Sequence, residues 1–142
     1  MIEQLFAATA LVLATVAIHG IGLMYLSRAM KLDEREEQHP GIHDLRTLGF
    51  TLMLVLALFL IHGIEIWLYA GVYLLAGAMP DFARALYFST ITYGTVGYDD
   101  EGLHKTWQMV AAIEGINGII LLGWSTAFFV RVIGRLGRQQ TD

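Results

Sequence analysis

Cysteine is absent from the 142 residues, which excludes disulfide and thiol chemistry. Charge is scarce as well: 15% of the residues are charged against 56% hydrophobic, too few for an ordinary soluble domain of this length. No Lys or Arg precedes the first apolar run, where Glu3 stands instead, so that run does not read as a cleaved leader. No segment carries arginine at every third position, so no voltage sensor is expected. Too few residues follow Ile133 for a ligand-binding domain to be expected there. Ser89 and Ser125 have no evident His–Asp partners in the sequence, and no enzyme activity is expected. Proline occurs only twice, and Pro40 and Pro80 both mark breaks.

The apolar residues are clustered. Leu5–Leu26 holds one histidine, His19, and no formal charge; Leu48–Met79 holds His62 and Glu65; Trp107–Ile133 holds Glu114 and, near its end, Arg131. Each run exceeds the roughly 20 residues a helix needs to cross about 30 Å of hydrocarbon. Three membrane spans in one domain are expected. Four basic residues, Arg28, Lys31, Arg35 and Arg46, lie between the first two runs, and Arg131, Arg135 and Arg138 lie at the C-terminal end. Only Arg84 and Lys105 fall on the other side. The bias of Lys and Arg toward cytoplasmic loops predicts an outside N-terminus and a cytoplasmic C-terminus in the cytoplasmic membrane. The charged linker around K-L-D-E-R-E-E-Q-H-P-G reads as a solvated helical extension ending before Pro40.

The second run is 32 residues long, or about 48 Å as one helix, so it must tilt, protrude or break, with Gly71 and Gly77 as possible end points. Pro80 cannot continue that helix and Asp81 can cap the next. The stretch that follows, F-A-R-A-L-Y-F-S-T-I-T, is too short to span and reads as re-entrant. After it comes Y-G-T-V-G-Y-D-D. Irregular backbone at membrane depth is tolerated only where protein buries it or where it lines a watery cavity. Gly94 and Gly97 allow successive carbonyls to turn toward one axis, where oxygens can replace the hydration shell of a cation. One strand cannot surround an ion and four can, which implies a homotetramer.

The stretch A-L-Y-F-S-T-I-T-Y-G-T-V-G-Y-D-D resembles the pore helix and selectivity filter of potassium channels, whose filter reads T-V-G-Y-G-D. The resemblance covers Leu48–Arg135 and points to small prokaryotic members of the two-transmembrane pore-domain ion channel family, with one N-terminal helix added. It implies an all-α membrane protein: three transmembrane helices, a re-entrant pore helix and a filter strand, assembled as a homotetrameric pore in the lipid bilayer. The implied layout is an extra helix over 1–27, a cytoplasmic linker over 28–47, a pore domain over 48–135 and a short tail over 136–142. Within the pore domain it implies an outer helix over 48–79, a pore helix over 81–92, a filter over 94–100 and an inner helix over 107–134. The implied function is passive, potassium-selective conduction, with no cofactor and no nucleic-acid partner. Thr95, Val96, Gly97 and Tyr98 would bind the permeant K+. Asp99, Asp100 and Glu101 would form the outer mouth, and Tyr87, Phe88 and Glu114 would support the filter. Gly115, Gly118 and Gly123 are candidates for a gating bend or for close helix packing.

Five positions depart from the family pattern: Asp99 replaces the usual Gly, Gly94 a Thr, Tyr87 and Phe88 a pair of tryptophans, and Ile91 a Glu found in some relatives. Together they imply a filter held by fewer hydrogen bonds. A weakly selective cation channel and a non-conducting scaffold or accessory subunit remain the alternatives. His62 and Glu65 are three apart and share a helix face. Buried ionisable groups in lipid raise a functional hypothesis. For this pair the readings are pH sensing, a metal site that two ligands alone would leave incomplete, or plain interhelical hydrogen bonding, with Glu114 tied to Ser89 or Thr90.

Overall fold

A computed structural model describes residues 2–33, 43–97 and 102–138. They form four α-helices: α1 (Ile2–Asp33), α2 (His43–Leu75), α3 (Phe82–Tyr93) and α4 (Gln108–Arg138), the last preceded by one 3-10 turn over Lys105–Trp107. There is no strand among the described residues. The chain is an all-α membrane protein. Three stretches, Ile2–Met30, Leu48–Leu75 and Lys105–Gly134, are long and apolar enough to cross a bilayer. Both long helices flanking the charged linker reach further into it than the apolar runs do, α1 to Asp33 and α2 back to His43.

Each break has a local cause. At the end of α2, Gly77 takes φ +65°, and the amides of Gly77 and Ala78 fold back onto the Leu74 and Tyr73 carbonyls at 3.0 and 2.8 Å. This pairing satisfies the last carbonyls of the helix and needs a left-handed residue, which glycine supplies without strain. Pro80 then bars resumption, and Asp81 restarts the chain as a helix by accepting from the Arg84 amide at 2.9 Å. The loop returning to α4 is pinned by the His104 amide, which donates to the Ala78 carbonyl at 3.1 Å.

The short α3 packs against α2 and α4 at the end of the bundle where α2 ends and α4 begins, while α1 runs beside both long helices. Tyr69, Tyr73, Phe88, Val110 and Ala111 centre the core at that end, to which α1 contributes Ala8 and Leu11. Leu23, Leu58 and Ile61 centre a second core nearer the other end. The contact between α3 and α4 is close because α4 carries glycine there. A Cβ on Gly115 would come to 3.4 Å from the Thr92 carbonyl oxygen, and one on Gly118 would overlap the Tyr93 carbonyl. Large apolar side chains remain outward on α2 and α4, among them Phe59, Leu60, Ile116, Ile119 and Ile120. Burying these in lipid or against other chains removes the cost of exposing them to water.

Candidate functional site

The segment that follows α3 begins as a helix-ending turn. Thr95 sits at φ +56°, in the left-handed region that few non-glycine residues adopt. Its amide donates to the Thr92 carbonyl at 3.1 Å, and the Val96 amide donates to the Ile91 carbonyl at 3.0 Å. This is the same cap that closes α2, with threonine in the place glycine holds there. The expected strand therefore does not begin at Gly94: residues 94–96 wrap, because the last carbonyls of α3 need donors. The Val96 side chain points outward, 82% exposed. Gly97 is the last described residue of this segment; Tyr98, Asp99, Asp100 and Glu101 lie outside the described residues.

The expected filter-support residues fall at two places. Phe88 is buried, its ring edge-on to Tyr73 at 5.5 Å, whereas Tyr87 is exposed. Glu114 is fully buried and bonded. Its Oε1 lies 2.5 Å from Ser89 Oγ, and its Oε2 accepts from the Tyr73 hydroxyl at 2.6 Å. Ser89 Oγ also lies 3.0 Å from the Ile66 carbonyl. Of the two hydroxyls expected near Glu114, Ser89 is the partner; Thr90 donates within its own helix, to the Leu86 carbonyl. A carboxyl protonated on Oε1 gives every contact a proton: Glu114 donates to Ser89, Ser89 to Ile66 and Tyr73 to Oε2. This cluster ties α2, α3 and α4 together through side-chain hydrogen bonds.

A second polar cluster lies further along the bundle, around Glu65. His62 and Glu65 do share a face, with His62 Nδ1 at 3.1 Å from Glu65 Oε2. The other members come from three different helices. His19 of α1 places Nδ1 2.9 Å from Glu65 Oε1. Tyr93, the last residue of α3, donates its hydroxyl to Glu65 Oε2 and lies 3.0 Å from His62 Nδ1. Ser125 of α4 lies 2.9 Å from His62 Nε2 and 3.3 Å from His19 Nε2. His19 and Glu65 are completely buried, and the Trp124 ring stands 5.2 Å from the His19 ring.

Two sequence expectations change here. Ser125 does have a histidine–carboxylate pair beside it, His62 with Glu65, which the separation of 63 residues between Ser125 and His62 had hidden. The hydroxyl is itself buried and faces two imidazoles, so the arrangement joins helices without opening to a substrate. Moreover, His62 and Glu65 are joined by a third side chain of metal-binding type, His19.

The protons in this cluster can be counted. With Glu65 ionised and both neutral imidazoles donating from Nδ1, two bare Nε2 atoms face one Ser125 proton. One further proton, on either imidazole, fills every contact of the ring. Glu65 is then an internal counter-ion and the cluster is neutral as a whole. A smaller link, Asn117 Nδ2 donating to Thr15 Oγ1 at 2.8 Å and to Tyr69 OH at 3.3 Å, adds a third polar tie from α1 to α4 and α2.

Gly115 and Gly118 both sit where α4 crosses the C-terminal end of α3, and a Cβ on Gly123 would meet nothing within 4 Å. Across all three glycines α4 continues as one helix.

Comparison with known proteins bears on residues 52–135, which match the family model described as "Ion channel". The matched stretch takes in most of α2, all of α3 and most of α4, and leaves α1 outside it. No curated protein and no solved structure matches. The match spans more than half of the chain and agrees with the order found here, a non-spanning helix lodged between two spanning ones: the chain belongs to the two-transmembrane ion channel family.

Proposed function

We propose that four copies of this chain surround a potassium-selective pore of the cytoplasmic membrane. In this reading the carbonyls of Thr95, Val96, Gly97 and Tyr98 replace the water shell of K+. The observation that carries it is the position of T-V-G-Y, which directly follows a helix of 12 residues held between α2 and α4. The C-terminal end of a helix carries partial negative charge. Placed beside a central cavity, the end of α3 stabilises a cation there. The outward Val96 and the apolar residues left exposed on α4 support assembly with other copies. Asp99, Asp100 and Glu101 of four chains concentrate cations at the outer mouth. The N-terminus lies outside, as the distribution of Lys and Arg favours.

The departures at Asp99 and Gly94 favour a second reading within the same class, a cation channel of weak selectivity. Purified protein in liposomes, assayed for K+ against Na+ flux, separates the two. Selective K+ flux that Gly97→Ala abolishes, with insertion and assembly intact, supports the potassium filter. Equal flux of both ions supports the weakly selective pore. Absence of flux from an assembled tetramer overturns both readings in favour of a scaffold.

A further inference from the structure

The His19–His62–Glu65 cluster has an arrangement that interhelical hydrogen bonding alone does not require. Both imidazoles turn the same nitrogen, Nδ1, toward the Glu65 carboxylate, at 2.9 and 3.1 Å. Both turn the opposite nitrogen, Nε2, toward a single hydroxyl, Ser125 Oγ, at 3.3 and 2.9 Å. One atom of each of the three side chains lies within 4.8 Å of those of the others.

We propose that His19, His62 and Glu65 bind a divalent transition-metal ion of the zinc class, joining α1 to α2 inside the membrane. Tetrahedral zinc with bonds of about 2.0–2.1 Å keeps its ligand atoms about 3.3 Å apart; the two Nδ1–carboxylate separations, 2.9 and 3.1 Å, already lie close to that, and the three ligand atoms, all within 4.8 Å of one another, need only draw together around the ion. Two imidazoles and one carboxylate are a donor set that suits zinc, cobalt, nickel or copper. Calcium and magnesium ask for six or more oxygens, so this site is chemically distinct from one for a hard cation.

The metal also resolves the shortage of protons at Ser125. Each imidazole that binds through Nδ1 carries its one proton on Nε2. Both Nε2–H groups then donate to Ser125 Oγ, whose two lone pairs accept them. A metal-bound histidine commonly donates its other nitrogen to such a partner, which fixes its tautomer and orientation. Tyr93 holds the carboxylate in the same way, donating to Glu65 Oε2. No net proton is released if both imidazoles begin neutral; one is released if an imidazolium is present, so protons compete with the metal. His62, 12% exposed, is the side of the cluster that opens for entry; the other two side chains are closed off.

The test uses the full-length protein, purified with chelator and dialysed against Zn2+ or Co2+. One ion per chain is expected, with the visible absorption of four-coordinate Co2+. His19→Ala should weaken uptake by at least tenfold, and Ser125→Ala by about tenfold, the usual effect of removing a supporting partner. His104→Ala, a surface control, should leave uptake unchanged. Because His19→Ala could disturb folding, Trp124 gives a second reading that leaves every ligand in place. Bound Co2+ should quench its emission, since it stands beside His19. Trp124→Phe should remove most of that quenching while uptake stays at one ion per chain. Uptake equal in wild type and His19→Ala, or quenching that survives Trp124→Phe in full, overturns the proposal. So does wild-type protein that takes up no Zn2+ or Co2+, which would leave the cluster a proton-bonded staple.

Discussion

Glu65 and Glu114 are both completely buried carboxyls in apolar helices, yet their surroundings differ in kind. Glu114 meets one hydroxyl and one phenol, Ser89 and Tyr73, neither of which can carry positive charge. Glu65 meets a phenol and two imidazoles. An uncompensated buried charge is costly, so a carboxyl among neutral donors is best held as an acid, and one beside a group that can become cationic can remain ionised. The clusters differ in reach as well. The partners of Glu114, namely Tyr73, Ser89 and the Ile66 carbonyl, all lie within residues 52–135. The Glu65 cluster adds His19, from a helix outside the matched stretch. The first cluster therefore holds the matched stretch together, and the second, with the smaller Thr15–Asn117 link, joins the added helix to it.

The largest effect that would separate the two is expected from Glu65→Gln. An amide has one accepting oxygen where the carboxylate has two, and its NH2 group would face the donors that Glu65 now receives. Breaking one partner of such a buried set costs about 3–5 kcal/mol. Thermal unfolding in mild detergent should show it, together with easier proteolysis of α1 as that helix loses its tie. A variant as stable as wild type would mean that Glu65 is already neutral, and the comparison with Glu114 would collapse.

Gly118→Ala strikes both clusters. Gly118 is one turn from Glu114 on α4, and its missing Cβ makes room for the carbonyl of Tyr93, whose hydroxyl holds Glu65. Backbone cannot yield as a flexible side chain can, so α4 must shift away from α3. Overpacking of this kind typically costs about 1–3 kcal/mol. Gly123→Ala, where a Cβ meets nothing within 4 Å, is the control and should be close to neutral. Equal loss at both positions would show that helix flexibility, rather than close approach, matters on α4.

These contrasts also mark what the sequence reveals. The short helix was legible because its stops are chemical: Pro80 and Asp81 at one end, glycine at the other. The shared face of His62 and Glu65 was legible from a spacing of three, and the bond between Ser89 and Glu114 from their expected depths. His19 and Tyr93 were not legible as partners of Glu65, nor Ser125 as a partner of His62. They lie on three helices, 46, 28 and 63 residues away from Glu65 or His62, and only tertiary packing brings them together. The turn at Thr95 was hidden for a different reason. Its left-handed backbone suggests glycine, and the nearest glycine, Gly94, stands one residue earlier.

A smaller effect concerns protons. The titratable groups around the cluster are His19 from α1, His62 and Glu65 from α2, and Tyr93 from α3; α4 adds the Ser125 hydroxyl and the Trp124 ring. Adding or removing one proton changes the contacts of this ring, and histidine is the side chain whose charge ordinarily changes between about pH 5 and 8. Flux should change over this interval, and both His62→Gln and Ser125→Ala should flatten the change. A wild-type flux that does not vary with pH would leave His62 and Glu65 as a structural staple only.

The smallest effect is expected from Glu114→Gln, and it tests the other half of the comparison. If Glu114 is held as an acid, its Oε1 donates and its Oε2 accepts. Glutamine can place its NH2 at the first position, donating to Ser89, and its carbonyl at the second, accepting from Tyr73. Every contact survives in a side chain of nearly the same shape. The cost should stay below about 1 kcal/mol, the net worth of one ordinary hydrogen bond. Glu114→Ala, by contrast, takes one contact from Tyr73 and one from Ser89, which keeps the Ile66 carbonyl, and opens a cavity. Losing a buried partner costs about 1–3 kcal/mol, and the cavity adds to it. The two substitutions at one position thus separate loss of the proton from loss of the contact. Near-equal unfolding temperatures for wild type and Glu114→Gln, with Glu114→Ala well below both, fit a neutral carboxyl. If Glu114→Gln falls as far as Glu65→Gln, then Glu114 is an ionised acceptor too, and the proton count at Ser89 is wrong.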